Sequence, residues 1–147
     1  MPIPKQVPQT AAEQVMNALV KTKSSCVDAK KPLLTSKACE HIFKNVRIAG
    51  YAEVNEATLI FRASRDGWYA EDFHRLCDYR GPTLCLVKAE QDFMSAGFTS
   101  IAWKSTGGTN VEDASACVFA LTDTLQVFKT NNPKYAVFHD SWGGPFW

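Results

Sequence analysis

From residue 56 onward the chain is a series of short β-rich runs separated by turn signals, and this pattern constrains its fold more than any other feature. Thr58–Arg62, Thr83–Lys88, Phe93–Thr99, Ala116–Leu121 and Tyr135–His139 concentrate β-branched, aromatic and apolar residues. Between them stand Gly81-Pro82, Glu90-Gln91-Asp92, Thr106-Gly107-Gly108-Thr109-Asn110 and Asn131-Asn132-Pro133, all of turn composition. One helical segment interrupts the series, Ala70 to Cys77, where Ala70, Phe73 and Cys77 fall on one face. Several short strands with few helices predict an α+β chain, mainly β: an antiparallel sandwich with peripheral helices packed outside.

The first fifty residues read differently. Pro2, Pro4 and Pro8 mark residues 1–9 as a disordered leader. Thr10-Ala11-Ala12-Glu13 has the spacing of a capping box, and Ala12, Val15, Met16 and Leu19 follow at helical spacing, predicting a helix that fades near Lys21 to Ser25. Residues 23–37, rich in Lys and Ser and broken by Pro32, read as an exposed connection. A weaker helix is expected from Ser36 to Phe43, with Ala38, Ile42 and Phe43 inward. The expected organisation is a leader over 1–9, an N-terminal helical segment over 10–50 and a β-rich domain over 51–147.

At 147 residues the chain fits one domain, and 46% hydrophobic content excludes wholesale disorder. No apolar run approaches the roughly 18 residues of a membrane span, and no secretory signal pattern opens the chain. A net charge of +1 is far from that of a nucleic-acid binder, although residues 1–50 carry 8 Lys and Arg against 3 Asp and Glu. Cys26, Cys39, Cys77, Cys85 and Cys117 are odd in number and contain no C-x-x-C pair. Free thiols in a reducing, cytoplasmic setting are the economical expectation, with no disulfide framework and no metal.

Three constellations could carry chemistry. In Ser64-Arg65-Asp66-Gly67-Trp68, Arg65 and Asp66 are either a surface recognition pair or an ion pair holding a strand-to-helix corner, the latter favoured about two to one. Trp68 is either an interface anchor or a partly buried core residue. In Phe73-His74-Arg75-Leu76-Cys77-Asp78, helical spacing brings His74, Cys77 and Asp78 together, the outline of an activated thiol or of a zinc site. Cys77 however shares the apolar face, and His41, Cys85 and His139 are isolated, so a buried, hydrogen-bonded histidine is preferred. Ser64 with His74 and Asp66 lacks a nucleophile elbow, and Gly107-Gly108 lacks the G-K-[ST] of a phosphate loop. The scattered lysines of the first third read as a solvated surface, with adsorption to an anionic membrane as a third, weaker possibility.

Read together, the central blocks resemble one family. Leu59-Ile60-Phe61-Arg62-Ala63-Ser64-Arg65-Asp66-Gly67-Trp68 is similar to the opening of the TLDc domain, and Asp72-Phe73-His74-Arg75-Leu76-Cys77-Asp78 to its "DFHxxCD" helix. Gly81-Pro82-Thr83-Leu84 is similar to its "GPTL", Ala96-Gly97-Phe98-Thr99-Ser100 with Trp103 to "GGYTS…W", Ala116–Leu121 to "AFLFSL" and Gly144-Pro145-Phe146 to the start of "GPxFG". Ser64, Gly67, Phe73, His74, Cys77, Asp78, Gly81, Pro82, Gly97 and Trp103 are thereby structural family-motif positions.

The resemblance implies a two-sheet β-sandwich, a role in oxidative-stress resistance, and binding to the peripheral sector of the vacuolar-type proton-pumping ATPase. It implies no catalytic residues and no cofactor, so the expectation is a non-enzymatic interaction module, at organelle membranes through a protein partner. Arg65, Asp66 and Trp68 are the candidate contacts. The alternative is a thiol-based redox enzyme or peroxide scavenger using Cys77 with His74. Two small departures are Tyr69, where the family usually has a capping Ser or Thr whose loss costs about 1 kcal/mol, and Ala96 in place of glycine. The larger one is at the end: family domains continue past "GPxFG" with further strands, so residues 51–147 are expected to be a truncated domain, marginally stable alone.

Overall fold

The computed structural model of the chain describes residues 17–23, 37–38, 40–42, 44, 56–88 and 93–141. Its strands are β1 (Asn17–Lys23), β2 (Glu56–Arg62), β3 (Thr83–Lys88), β4 (Met94–Thr99), β5 (Gly107–Val111), β6 (Cys117–Ala120), β7 (Gln126–Lys129) and β8 (Val137–Asp140). Between β2 and β3 lie α1 (Ala63–Asp66) and α2 (Ala70–Cys77), and a 3-10 turn, Pro133–Tyr135, leads into β8. Residues 37–38, 40–42 and 44 are also helical.

Six strands form one antiparallel sheet in the order β2-β1-β3-β4-β6-β7, and β5 pairs with β8 in a second. The centre of the large sheet is buried on both faces. Leu84 and Leu86 of β3 share a cluster with Ala96 and Phe98 of β4 and with Cys117 and Phe119 of β6, to which Ala38 and Ile42 of the N-terminal helical residues belong. Cys85, between the two leucines, belongs to a second cluster with Phe61, Ala63, Phe73, Cys77, Trp103 and Val137. Burial on both sides is why Thr83-Leu84-Cys85-Leu86 shows no polar alternation. At about 1.5–3 kcal/mol for each large apolar side chain removed from water, these two clusters are the main source of stability. The expected α+β sandwich of two antiparallel sheets is the observed architecture.

The strand expected at Thr83–Lys88 has those bounds in the structure, and the α2 helix runs as its apolar spacing indicates. Residues 17–23 do not: the expected continuation of an N-terminal helix is β1. Leu19 pairs with Leu59 on one side and Leu84 on the other, so the slot between β2 and β3 gives the backbone hydrogen-bonding partners along both edges. Pairing of that kind overrides the weak helical preference of the segment, in which Val20 and Thr22 are β-branched. The Tyr135–His139 run begins its strand later, at Val137, because Pro133 sets up a 3-10 turn. The Gly107-Gly108 stretch, read as a turn, is half of β5, with Gly108 at φ 72° where the register shifts. The leader, the Thr10–Glu13 box, Cys26, Cys39, Phe43 and Gly144-Pro145-Phe146 lie outside the described residues.

Candidate functional site

The corner between β2 and α2 is built on Asp66. Its Oδ1 accepts from Arg65 Nε at 2.6 Å, and its Oδ2 from Arg65 Nη2 at 2.7 Å and from the Arg62 amide at 2.8 Å. The hydrogen bond from Arg65 is foremost in holding the Asp66 carboxyl below its ordinary value. Arg65 and Asp66 thus form the corner-holding pair that the sequence favoured, and Trp68 is half-buried against the cluster of Phe61 and Phe73. Gly67 closes α1 at φ 117°, and a Cβ there would overlap the Asp72 carboxylate. Asp72 in turn accepts from the Tyr69 amide at 3.3 Å, the half of a capping box that the third helical residue supplies.

At the other end of α2, Asp78 serves two elements at once. His74 Nδ1 lies 2.7 Å from Asp78 Oδ1, and Asp78 Oδ2 accepts from the amide of Ser105 at 2.8 Å and from its hydroxyl at 2.5 Å. Asp78 therefore fastens the helix to the segment leading into β5. The Tyr79 amide donates to the Trp103 carbonyl at 2.9 Å, and Gly81 brings the chain so close to Ala102 that a Cβ would stand 3.0 Å from its Cα. Phe73 sits at the centre, its ring edge-on to Phe61, His74 and Trp103 at centroid distances of 5.5, 5.4 and 5.7 Å.

The described thiols, Cys77, Cys85 and Cys117, are withdrawn from solution. Burial, helped by the charge of Asp78, pushes Cys77 up to about 12; burial and the charge of Asp113 push Cys117 up to about 11; and burial holds Cys85 well above its ordinary value. Among the described residues no three His, Cys, Asp or Glu side chains are placed to hold a metal ion. No helix of the described residues is long and apolar enough to cross a membrane.

A model of the TLDc domain matches residues 27–144, most of the chain. The chain belongs to the TLDc domain family. The family implies a role in oxidative-stress resistance. The match takes in the helical residues 37–44, and β1 precedes it although β1 lies inside the TLDc sheet. No curated protein and no solved structure matches the chain.

Asp113 of this TLDc chain escaped the sequence reading, and His139 was read there only as isolated. Asp113, 4% exposed, accepts from Thr99 Oγ1 at 2.7 Å, the Ser100 amide at 2.7 Å, Ser100 Oγ at 2.9 Å, and the amide and hydroxyl of Ser115 at 2.9 and 2.5 Å. Burial raises its carboxyl, but the bonds from Ser115, Thr99 and Ser100 outweigh that and leave it below its ordinary value. The Asp-x-Ser spacing of Asp113 and Ser115 is an Asx-turn signal, whereas Thr99 and Ser100 are brought in by the fold alone. His139, on β8, is buried with its ring centroid 6.2 Å from that of Trp103. Elsewhere, Phe128, Tyr135 and Phe138 are 55%, 65% and 47% exposed and line one groove of about 260 Å³ with Val118 and Cys117.

Proposed function

We propose that this TLDc chain is a non-catalytic protein-interaction module that acts in oxidative-stress resistance by docking on the peripheral sector of the vacuolar-type proton-pumping ATPase. The observation that carries the reading is that the described side chains with reactive chemistry are committed to the fold. Cys77 is buried and its thiol lies near 12, so at neutral pH it is a poor nucleophile. His74, the histidine that would assist it, is tied to Asp78, which is tied to Ser105. Peroxide scavenging needs an accessible thiolate, and this arrangement opposes one. The exposed aromatics Phe128, Tyr135 and Phe138 around one groove favour a binding role, since aromatic side chains carry much of the energy of protein contacts. Arg65 and Trp68 remain candidate contacts on a corner that Asp66 keeps rigid.

The binding half is tested by mixing the purified, folded chain with the detached peripheral sector and following complex formation by interferometry. Saturable binding is expected, and its absence from a chain shown to be folded sinks the assignment. The non-catalytic half is tested by peroxide consumption. Turnover that disappears in Cys77→Ser would replace the docking module by a thiol enzyme.

A further inference from the structure

The small sheet carries a histidine that the fold keeps dry. His139 is 3% exposed, and its Nε2 is buried without a hydrogen-bond partner among the described residues. A neutral imidazole donates from one nitrogen, whereas an imidazolium donates from both. Protonated His139 would therefore bury a donor with no acceptor together with a positive charge, a state that folded proteins avoid by rearranging.

The charged and titratable groups around it offer no remedy. His74 and Asp78 act on His139 from α2 and its end, Lys104 from the loop after β4, and Asp140 is its neighbour on β8. Asp78 is the acidic group that could receive the proton's charge, but its two oxygens already serve His74 and Ser105. Lys104 repels a second cation. Burial first, and then Lys104, hold His139 below its ordinary value in the folded chain.

The surrounding structure identifies what would yield. Among the described residues β8 pairs with β5 alone, and Gly107, Gly108, Thr109 and Asn110 of β5 are exposed. A two-stranded sheet has little stability without backing. Its backing is Val137, 1% exposed, and the contact of His139 with Trp103. Thr106 Oγ1, just before β5, is a second buried polar atom without a partner among the described residues, so this seam is less fully satisfied than the Asp113 or Asp78 junctions.

We propose that His139 is an acid-sensitive latch: on taking a proton from solvent it releases the β5–β8 sheet from Trp103, exposing the apolar seam while the six-stranded sheet stays folded. The sign follows from linkage. The released strand binds a proton with the ordinary histidine value near 6.5, the docked strand binds it less readily, and docking is therefore complete above about pH 6.5. As pH falls below that value the released fraction grows by up to about tenfold per pH unit, until the docked histidine itself titrates.

Amide hydrogen exchange of the full chain at pH 7.5 and pH 5.5, corrected for intrinsic rates, is the test. Amides of β5 and β8 should lose protection by up to roughly tenfold over these two pH units relative to those of β3 and β4, and His139→Phe should abolish the difference. Unchanged protection in β8, a loss shared equally by β3 and β4, or the same loss in His139→Phe overturns the proposal. His139→Gln replaces His139→Phe if the latter does not fold. If neither folds, nuclear magnetic resonance on the unaltered chain decides. The His139 imidazole and β8 protection must then titrate with one midpoint, and two separate midpoints refute the latch.

Discussion

Trp103 Nε1 donates to Thr83 Oγ1 across 2.9 Å, both residues buried, and so joins two family blocks that stand twenty positions apart in the chain. The same indole packs edge-on against Phe73 of a third block. Thr83, Trp103 and Phe73 thus form one structural unit, in which a hydroxyl, an indole and a phenyl ring fix β3, the loop after β4 and α2 to one another. A motif of this kind specifies a core, and a change in it should be read first as a change in stability.

Phe73→Ala removes the ring at the centre of that unit. Phe73 is fully buried, and truncation of such a ring costs about 3–5 kcal/mol. Urea unfolding should show a midpoint shift of that size or a chain that no longer folds. A loss under about 1 kcal/mol would mean that the three blocks do not share a core.

Asp78→Asn tests the junction between α2 and the β5 approach. It removes the negative charge that His74 and Ser105 share, and hydrogen bonds to charged groups contribute about 1.5–3 kcal/mol each. The expected loss is about 2–3 kcal/mol by denaturant titration. His74→Gln added to a chain already carrying Asp78→Asn should cost much less than His74→Gln alone, because the two residues form one network.

The glycines separate by geometry. Gly67→Ala should destabilise by more than about 1 kcal/mol, since φ is 117° and the new Cβ meets Asp72. At Gly107 a Cβ would meet nothing within 4 Å, so Gly107→Ala should be neutral or stabilise by up to about 1 kcal/mol. Thermal melts of the two variants, compared with the parent, check both.

Acid should act on Asp113 in a range distinct from that of His139. The folded Asp113 carboxyl lies below its ordinary value of 3.8, so its stabilisation is complete above that value and is lost as pH falls through the folded one. In Asp113→Asn the stability above about pH 4 should be lower, and the further fall below pH 3.8 smaller. Unfolding free energies measured from about pH 2.5 to 5 decide, and an unaltered acid slope in the variant would contradict the account.

Thiol chemistry gives a site-resolved check. At about pH 8 a thiol near 12 is about one part in ten thousand thiolate. Iodoacetamide, followed by peptide mass spectrometry, should leave Cys77, Cys85 and Cys117 unlabelled until denaturant is added. Rapid labelling of Cys77 in folded protein would favour the redox-enzyme reading instead.

Local order was the legible part of this fold. Ala70, Phe73 and Cys77 announce α2 because helical spacing is written within one turn, and Thr83–Leu86 announces β3 because burial on both faces needs an unbroken apolar run. The corner at Asp66 was legible for the same reason, its partners Arg62 and Arg65 being close in sequence. β1 was not, since its strand conformation comes from β2 and β3 on either side, far along the chain. Nor was β5, where a Gly-Gly pair that signals a turn is drawn into a strand by β8. Asp113 went unseen, and His139 read only as isolated, because what distinguishes them is burial and non-local contact: Thr99 and Ser100 reach Asp113 from β4 and its end, and Trp103 reaches His139 from the following loop.

Co-sedimentation of the full chain with intact vacuolar-type ATPase, with ATP hydrolysis read in the same tube, tests the proposed function most directly. The folded chain should pellet with the enzyme, change its hydrolysis rate, and do both equally well as Cys77→Ser. A folded chain that stays in the supernatant and leaves hydrolysis unchanged, or an effect that vanishes with the Cys77 thiol, would contradict it.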